Sequence, residues 1–155
     1  STSEEEEEKE EAIQPIQKKN TESTNYEDLS TCRTEEEQVL SVIYGSDYTR
    51  KEGAWGQPLL SIRVVPPDLK PEEIGSEVTL SITVPKKYPY VVPAIEFLNT
   101  QGLNEEKLQM LHKSLMNRAT ECAEVGLVMI CELVQVTEDF LLKYNRNPIV
   151  ENMSS

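Results

Sequence analysis

Residues 88–93 read YPYVVP, close behind the strand-like run EVTLSITV at 77–84. Each proline holds its own φ at about −65°, removes a hydrogen-bond donor and pushes its predecessor, here Tyr88 or Val92, into extended backbone. Such a segment cannot continue a strand. It reads as a stiff loop with few unfolded alternatives, pinned to the body of the domain by Tyr88, whose ring buries apolar area while its hydroxyl needs a partner. Tyr88 and Tyr90 are both also readable as partner contacts, and the structural role is the simpler one.

The run before this turn fixes the sheet. Val78, Leu80, Ile82 and Val84 alternate with Thr79, Ser81 and Thr83, a period of two with one buried face. LLSIRVV (59–65) and AIEFL (94–98) are further strand candidates, and an antiparallel meander is the simplest way to join such short neighbours. The intervening GSDYTRKEGAWGQP, which carries Trp55 between glycines, reads as a loop.

Helical spacing brackets the strands. In TEEEQVLSVIYG, Thr34 and Glu37 form a capping-box pattern, Glu35 to Glu37 suit the positive end of the helix, and Val39, Leu40, Ile43 and Tyr44 return at helical intervals. Asn104 suits an N-cap for a second helix with Leu108, Leu111, Leu115 and Ala119 on one stripe. A third runs through LVMICELVQVTEDFLLKYN, with Met129, Ile130, Leu133, Val134, Thr137, Phe140, Leu141 and Tyr144 facing inward. These elements make one α+β domain at 26–146, with an acidic tail expected to be disordered at 1–25 and a linker at 147–155.

Between Ser1 and Arg33 ten acidic residues face four basic ones, and the whole chain carries a formal net charge of −13. Polyanions and anionic membranes are therefore poor partners, and a basic protein surface is favoured. Cys32, Cys122 and Cys131 form no C-x-x-C pair and read as packing residues in a reducing, cytoplasmic setting. His112 is the single histidine and reads as a surface or packing residue, so neither a His-based metal cluster nor a Ser-His-Asp arrangement is expected, and the six glycines are too scattered for a phosphate-cradling loop. No catalytic residue, cofactor or metal is expected.

Helix, meander, proline turn and two helices in this order resemble the RWD domain family, relatives of the ubiquitin-conjugating fold. The marks are E-x-x-x-L-x-x-I-Y, here Glu36, Leu40, Ile43 and Tyr44, and Y-P-x-x-x-P, here Tyr88, Pro89 and Pro93. Conjugating relatives place a His-Pro-Asn triplet and a reactive cysteine beyond the proline turn; AIEFLNTQGLNEEKLQML has neither. WGQP, YPYVVPAIEF, KLQML and MICELV are most similar to the amino-terminal RWD domains of the general-control kinases, in a budding-yeast wording. Those kinases phosphorylate the alpha subunit of translation initiation factor two during amino-acid starvation. The resemblance implies a non-catalytic domain that docks such a kinase onto the C-terminal region of a large ribosome-associated activator. The alternatives are an RWD protein competing for that activator and a ubiquitin-binding relative without a nucleophile. The expected contact surface is the polar face of the last helix, Glu132, Gln135, Glu138, Asp139 and Lys143, whose acidic members suit Arg or Lys of a partner.

Overall fold

The computed structural model describes residues 22–146, with side chains from Leu29 onward. Residues 1–21 of the expected tail and 147–155 of the expected linker lie outside the described residues. Helix α1 (Glu22–Tyr44) leads into strands β1 (Tyr48–Glu52), β2 (Pro58–Val64), β3 (Glu77–Thr83) and β4 (Ala94–Gln101), followed by α2 (Glu105–Val125) and α3 (Ile130–Lys143). The strands form one antiparallel sheet in the order β1-β2-β3-β4. No described helix is long and apolar enough to cross a membrane.

The alternation in β3 buries Val78, Leu80 and Ile82 and leaves Thr79, Ser81 and Thr83 partly exposed. Register carries this face across the sheet, with Leu60 opposite Ile82, Ile62 opposite Leu80, and Ile95 opposite Ile82 on the other side. Leu111, Leu115 and Ala119 of α2 and Leu133, Val134 and Leu141 of α3 complete the core. Helix α2 begins as expected, with Asn104 Oδ1 accepting from the Lys107 backbone N–H at 2.8 Å. It ends at Gly126 in the left-handed conformation, φ 72°, whose N–H reaches the carbonyls of Cys122 and Ala123.

Four expectations are corrected by the structure. The stretch read as a loop contains β1, because its sequence YTRKE has no apolar alternation and the strand buries little on either face. It pairs only with β2, and its charged side chains suit an exposed sheet edge. Helix α1 begins at Glu22, twelve residues before Thr34, so Thr34 and Glu37 lie inside a continuous helix and form no capping box. No glycine or proline interrupts 22–33, Leu29 is buried, and Arg33 Nη1 donates to the Lys86 carbonyl at 2.6 Å. Glu37 instead accepts from Arg50 Nε of β1 at 2.7 Å.

The buried line of α1 also differs. Leu40 is fully buried and Tyr44 packs against the core, whereas Val39 is exposed and Ile43 is 58% exposed. The residue sharing the inner line with Leu29 and Leu40 is a carboxylate, Glu36. Among the cysteines, Cys122 is buried and Cys131 half-buried, but Cys32 is exposed on α1 and packs against nothing in the core.

Candidate functional site

The proline turn and α1 meet at the start of α3. Tyr88 is 0% exposed and Glu36 only 7%. The Tyr88 hydroxyl donates to Glu36 Oε1 at 2.5 Å and accepts from the backbone N–H groups of Met129 at 2.6 Å and Ile130 at 3.2 Å. Glu36 Oε2 accepts from Ile130 N–H at 2.8 Å and Cys131 N–H at 3.3 Å. The first N–H groups of a helix have no partners within it. Met129, at the N-cap of α3, offers no side-chain cap, so Glu36 and Tyr88 supply one from distant segments. A carboxylate there also meets the positive end of the helix dipole. The positive end that Glu36 serves is that of α3, not of its own helix.

Burial pushes the Glu36 carboxyl above its ordinary value, outweighing the Tyr88, Cys131 and Ile130 hydrogen bonds that favour the charged form. Burial first, then the Glu36 charge, raises the Tyr88 phenol well above its usual range, so it stays protonated and donates. Pro89 and Pro93 are both buried, and the peptide between Tyr88 and Pro89 is cis. Tyr90, by contrast, lies largely exposed with its ring against Gly126, where a Cβ would come within 2.4 Å of the ring.

This clamp sets the orientation of α3 and hence of its outward face. Gln135, Asp139 and Lys143 are exposed there. Glu132 shares that side of the helix but is engaged by Arg118 Nε of α2, which also binds Glu121 at 2.8 Å. Glu138 stands off to one side. Its carboxyl is raised by partial burial first, then by Asp139 and by Asp68 of the β2–β3 connection. It also contributes, after burial, to pushing the Tyr44 phenol up to about 12. The five expected residues thus divide into three exposed ones, one ion-paired to α2 and one half-buried that feels the charges of Asp139 and Asp68.

Two residues left open by the sequence also acquire places. Trp55 is 93% exposed at the tip between β1 and β2, at a φ of 61°. His112 is exposed on α2, edge-on to the Phe97 ring at 5.9 Å. Burial leads in raising the Cys122 and Cys131 thiols, the opposite of what a nucleophile needs. Among the described residues no group of three or more His, Cys, Asp or Glu side chains is placed to hold a metal.

A helix, an antiparallel meander and two helices clamped through a buried proline turn define a small α+β fold. The family sequence model described as the RWD domain matches residues 31–141. The chain is 35% identical over 127 residues to the eIF-2-alpha kinase GCN2 of Rattus norvegicus, covering 79% of this chain and 8% of that protein. It is also 31% identical over 113 residues to the E3 ubiquitin-protein ligase RNF25 of Danio rerio, covering 70% of this chain and 21% of the ligase. It therefore spans only a small part of these relatives. Its fold is similar to the solution structure of the RWD domain of mouse GCN2, with a TM-score of 0.68, 29% identity and coverage of 88% of this chain and 96% of that one. The chain belongs to the RWD domain family, a non-catalytic interaction fold.

Proposed function

We propose that this domain docks a kinase of the translation-initiation-factor-two alpha subunit onto the C-terminal region of a large ribosome-associated activator during amino-acid starvation, in the cytoplasm. The kinase assignment is supported by the likeness to the eIF-2-alpha kinase GCN2 of rat. The observation that supports the docking surface is the pair of adjacent carboxylates on α3, Asp139 exposed and Glu138 half-buried, whose negative charges, with that of Asp68, raise the proton affinity of Glu138 in addition to its burial. Basic side chains of a partner relieve that crowding, so their binding is favoured where the carboxylates repel one another. Gln135 and Lys143 extend the surface along α3, and Glu132 borders it through Arg118.

The test is a binding titration of the activator's C-terminal region with wild type and with the Glu138→Lys, Asp139→Lys double variant. Binding is lost in the double variant while helicity and melting temperature stay near wild type. Retained affinity removes this face of α3 from the interface.

A second reading is an RWD protein that is not a kinase, favoured by the likeness to zebrafish RNF25. The parent protein then carries no kinase domain, and this chain competes with kinase-borne RWD domains for the activator. Sequencing the parent transcript separates the two readings.

A further inference from the structure

At the far end of the domain, the start of α2 and the end of α3 enclose a cleft of about 620 Å³ lined by Gly102, Leu103, Asn104, Lys107, Lys143, Tyr144, Asn145 and Arg146. In a chain of net charge −13, its ionisable lining is entirely basic apart from the Tyr144 phenol. The first-turn carboxylates Glu105 and Glu106 do not line it. Lys107 Nζ lies 4.5 Å from the centroid of the Tyr144 ring and Lys143 Nζ 5.3 Å from the same ring. Among the described residues neither ammonium is ion-paired to a carboxylate.

The walls are fixed. Asn145 Oδ1 accepts from the Gly75 N–H at 2.7 Å and Ser76 Oγ at 3.3 Å, and its Nδ2 donates to the Glu73 carbonyl at 3.0 Å. Gly102 approaches so closely that a Cβ there would fall 1.9 Å from the Gly75 carbonyl oxygen, and its φ of 75° independently favours glycine. The end of α3 and the turn before α2 are therefore locked to the same loop, which holds Tyr144 and Lys107 in register.

We propose that this cleft binds a phosphorylated side chain of a partner protein, with Lys107 and Lys143 as its cationic ligands. Two ammonium groups drawn to one aromatic ring repel each other, and a dianion near both turns that repulsion into attraction. A phosphoryl group at neutral pH carries close to two negative charges and three acceptor oxygens, which matches two lysines better than one carboxylate does. The cleft is much larger than a phosphate ion, leaving room for the segment that bears it. A long polyanion such as RNA meets the net negative field of the domain with many charges along its length, whereas a single phosphorylated residue brings only about two. Lys143 is shared with the proposed activator-docking face, whereas Lys107 lies on α2, outside that face, so substitutions of Lys107 test the cleft separately from the docking reading.

The experiment is an NMR titration of the whole chain, at constant ionic strength, with four probes. These are a phosphoserine tetrapeptide, its glutamate counterpart, inorganic phosphate and a uridine trinucleotide. The phosphopeptide is expected to shift the amides of Leu103 to Lys107 and Lys143 to Arg146 saturably, and to bind more tightly than the other three. Lys107→Ala lowers its affinity about tenfold or more, the usual scale for losing a hydrogen bond to a charged group. A conservative Lys107→Arg retains most of the affinity. The proposal is overturned by absence of saturation, by equal response to the glutamate peptide, by preference for the free phosphate or the trinucleotide, or by unchanged affinity in Lys107→Ala.

Discussion

The Tyr88 hydroxyl stands 2.5 Å from the Glu36 carboxylate across 52 residues of chain, and both groups cap the N-terminus of α3. This contact ties the proline turn, the first helix and the last helix into one unit. Removing either partner leaves buried polar groups of the others unsatisfied, each costing about 1–3 kcal/mol. Glu36→Ala is expected to destabilise the domain by about 2–4 kcal/mol in urea unfolding, combining the lost cap with the orphaned Tyr88 hydroxyl. A loss below about 0.5 kcal/mol, the scale of an ordinary surface substitution, contradicts the role of Glu36 as cap.

The two buried tyrosine hydroxyls respond oppositely. Tyr88 Oη has three hydrogen-bond partners, whereas Tyr48 Oη is buried and makes no hydrogen bond among the described residues. Tyr88→Phe is expected to lower stability by about 2 kcal/mol, because it orphans Glu36 and a helix N–H. Tyr48→Phe is expected to be neutral or mildly stabilising, since it removes a buried hydroxyl that forms no compensating bond. Thermal unfolding of both variants checks the pair, and equal losses would sink the distinction.

Glu36 also sets a pH dependence. Its folded pKa is raised above the ordinary value of 4.5, chiefly by burial, so the folded state holds this proton more tightly than the unfolded chain does. Stability contributed by the group is therefore greatest below the unfolded value and falls as pH rises from about 4.5 through the folded value. Against Glu36→Gln, which does not titrate, the wild-type advantage should shrink as pH rises through that window. Urea unfolding of both proteins from pH 4 to 7 measures it, and an advantage growing with pH would show that the hydrogen bonds to the carboxylate outweigh its burial.

On α3 the charges are not equivalent. Asp139 is exposed, whereas Glu132 is held by Arg118 of α2. Asp139→Lys is expected to weaken activator binding without altering unfolding. Glu132→Lys sets a lysine beside Arg118 and loosens the seam between α2 and α3, so it lowers both binding and melting temperature. Melting curves beside binding isotherms distinguish them, and identical behaviour of the two variants contradicts the split.

Much of the architecture was legible because apolar periodicity and turn chemistry agreed. The alternation of Val78, Leu80 and Ile82, the Asn104 cap and the inward stripe of α3 all took the places their spacing implies. The strand β1 was not legible, since an edge strand reading YTRKE contributes little to the core and shows no alternation. The start of α1 was obscured by a capping pattern at Thr34 that the continuous helix overrides. Glu36 sits in a run of glutamates that looks like a solvated face. Its family motif marked the position, while its cap role emerges only where α3 arrives from 94 residues away. The polar face of α3, the proposed docking surface, was readable from helical spacing, but the ion pair at Glu132 and the electrostatic influence of Asp68 on Glu138 depend on tertiary placement.

The most direct measurement is a calorimetric titration of this chain with the C-terminal region of the ribosome-associated activator, at low and at high salt. The docking account predicts one saturable site whose affinity falls as salt screens the carboxylates of α3. Absence of binding at either salt would contradict it.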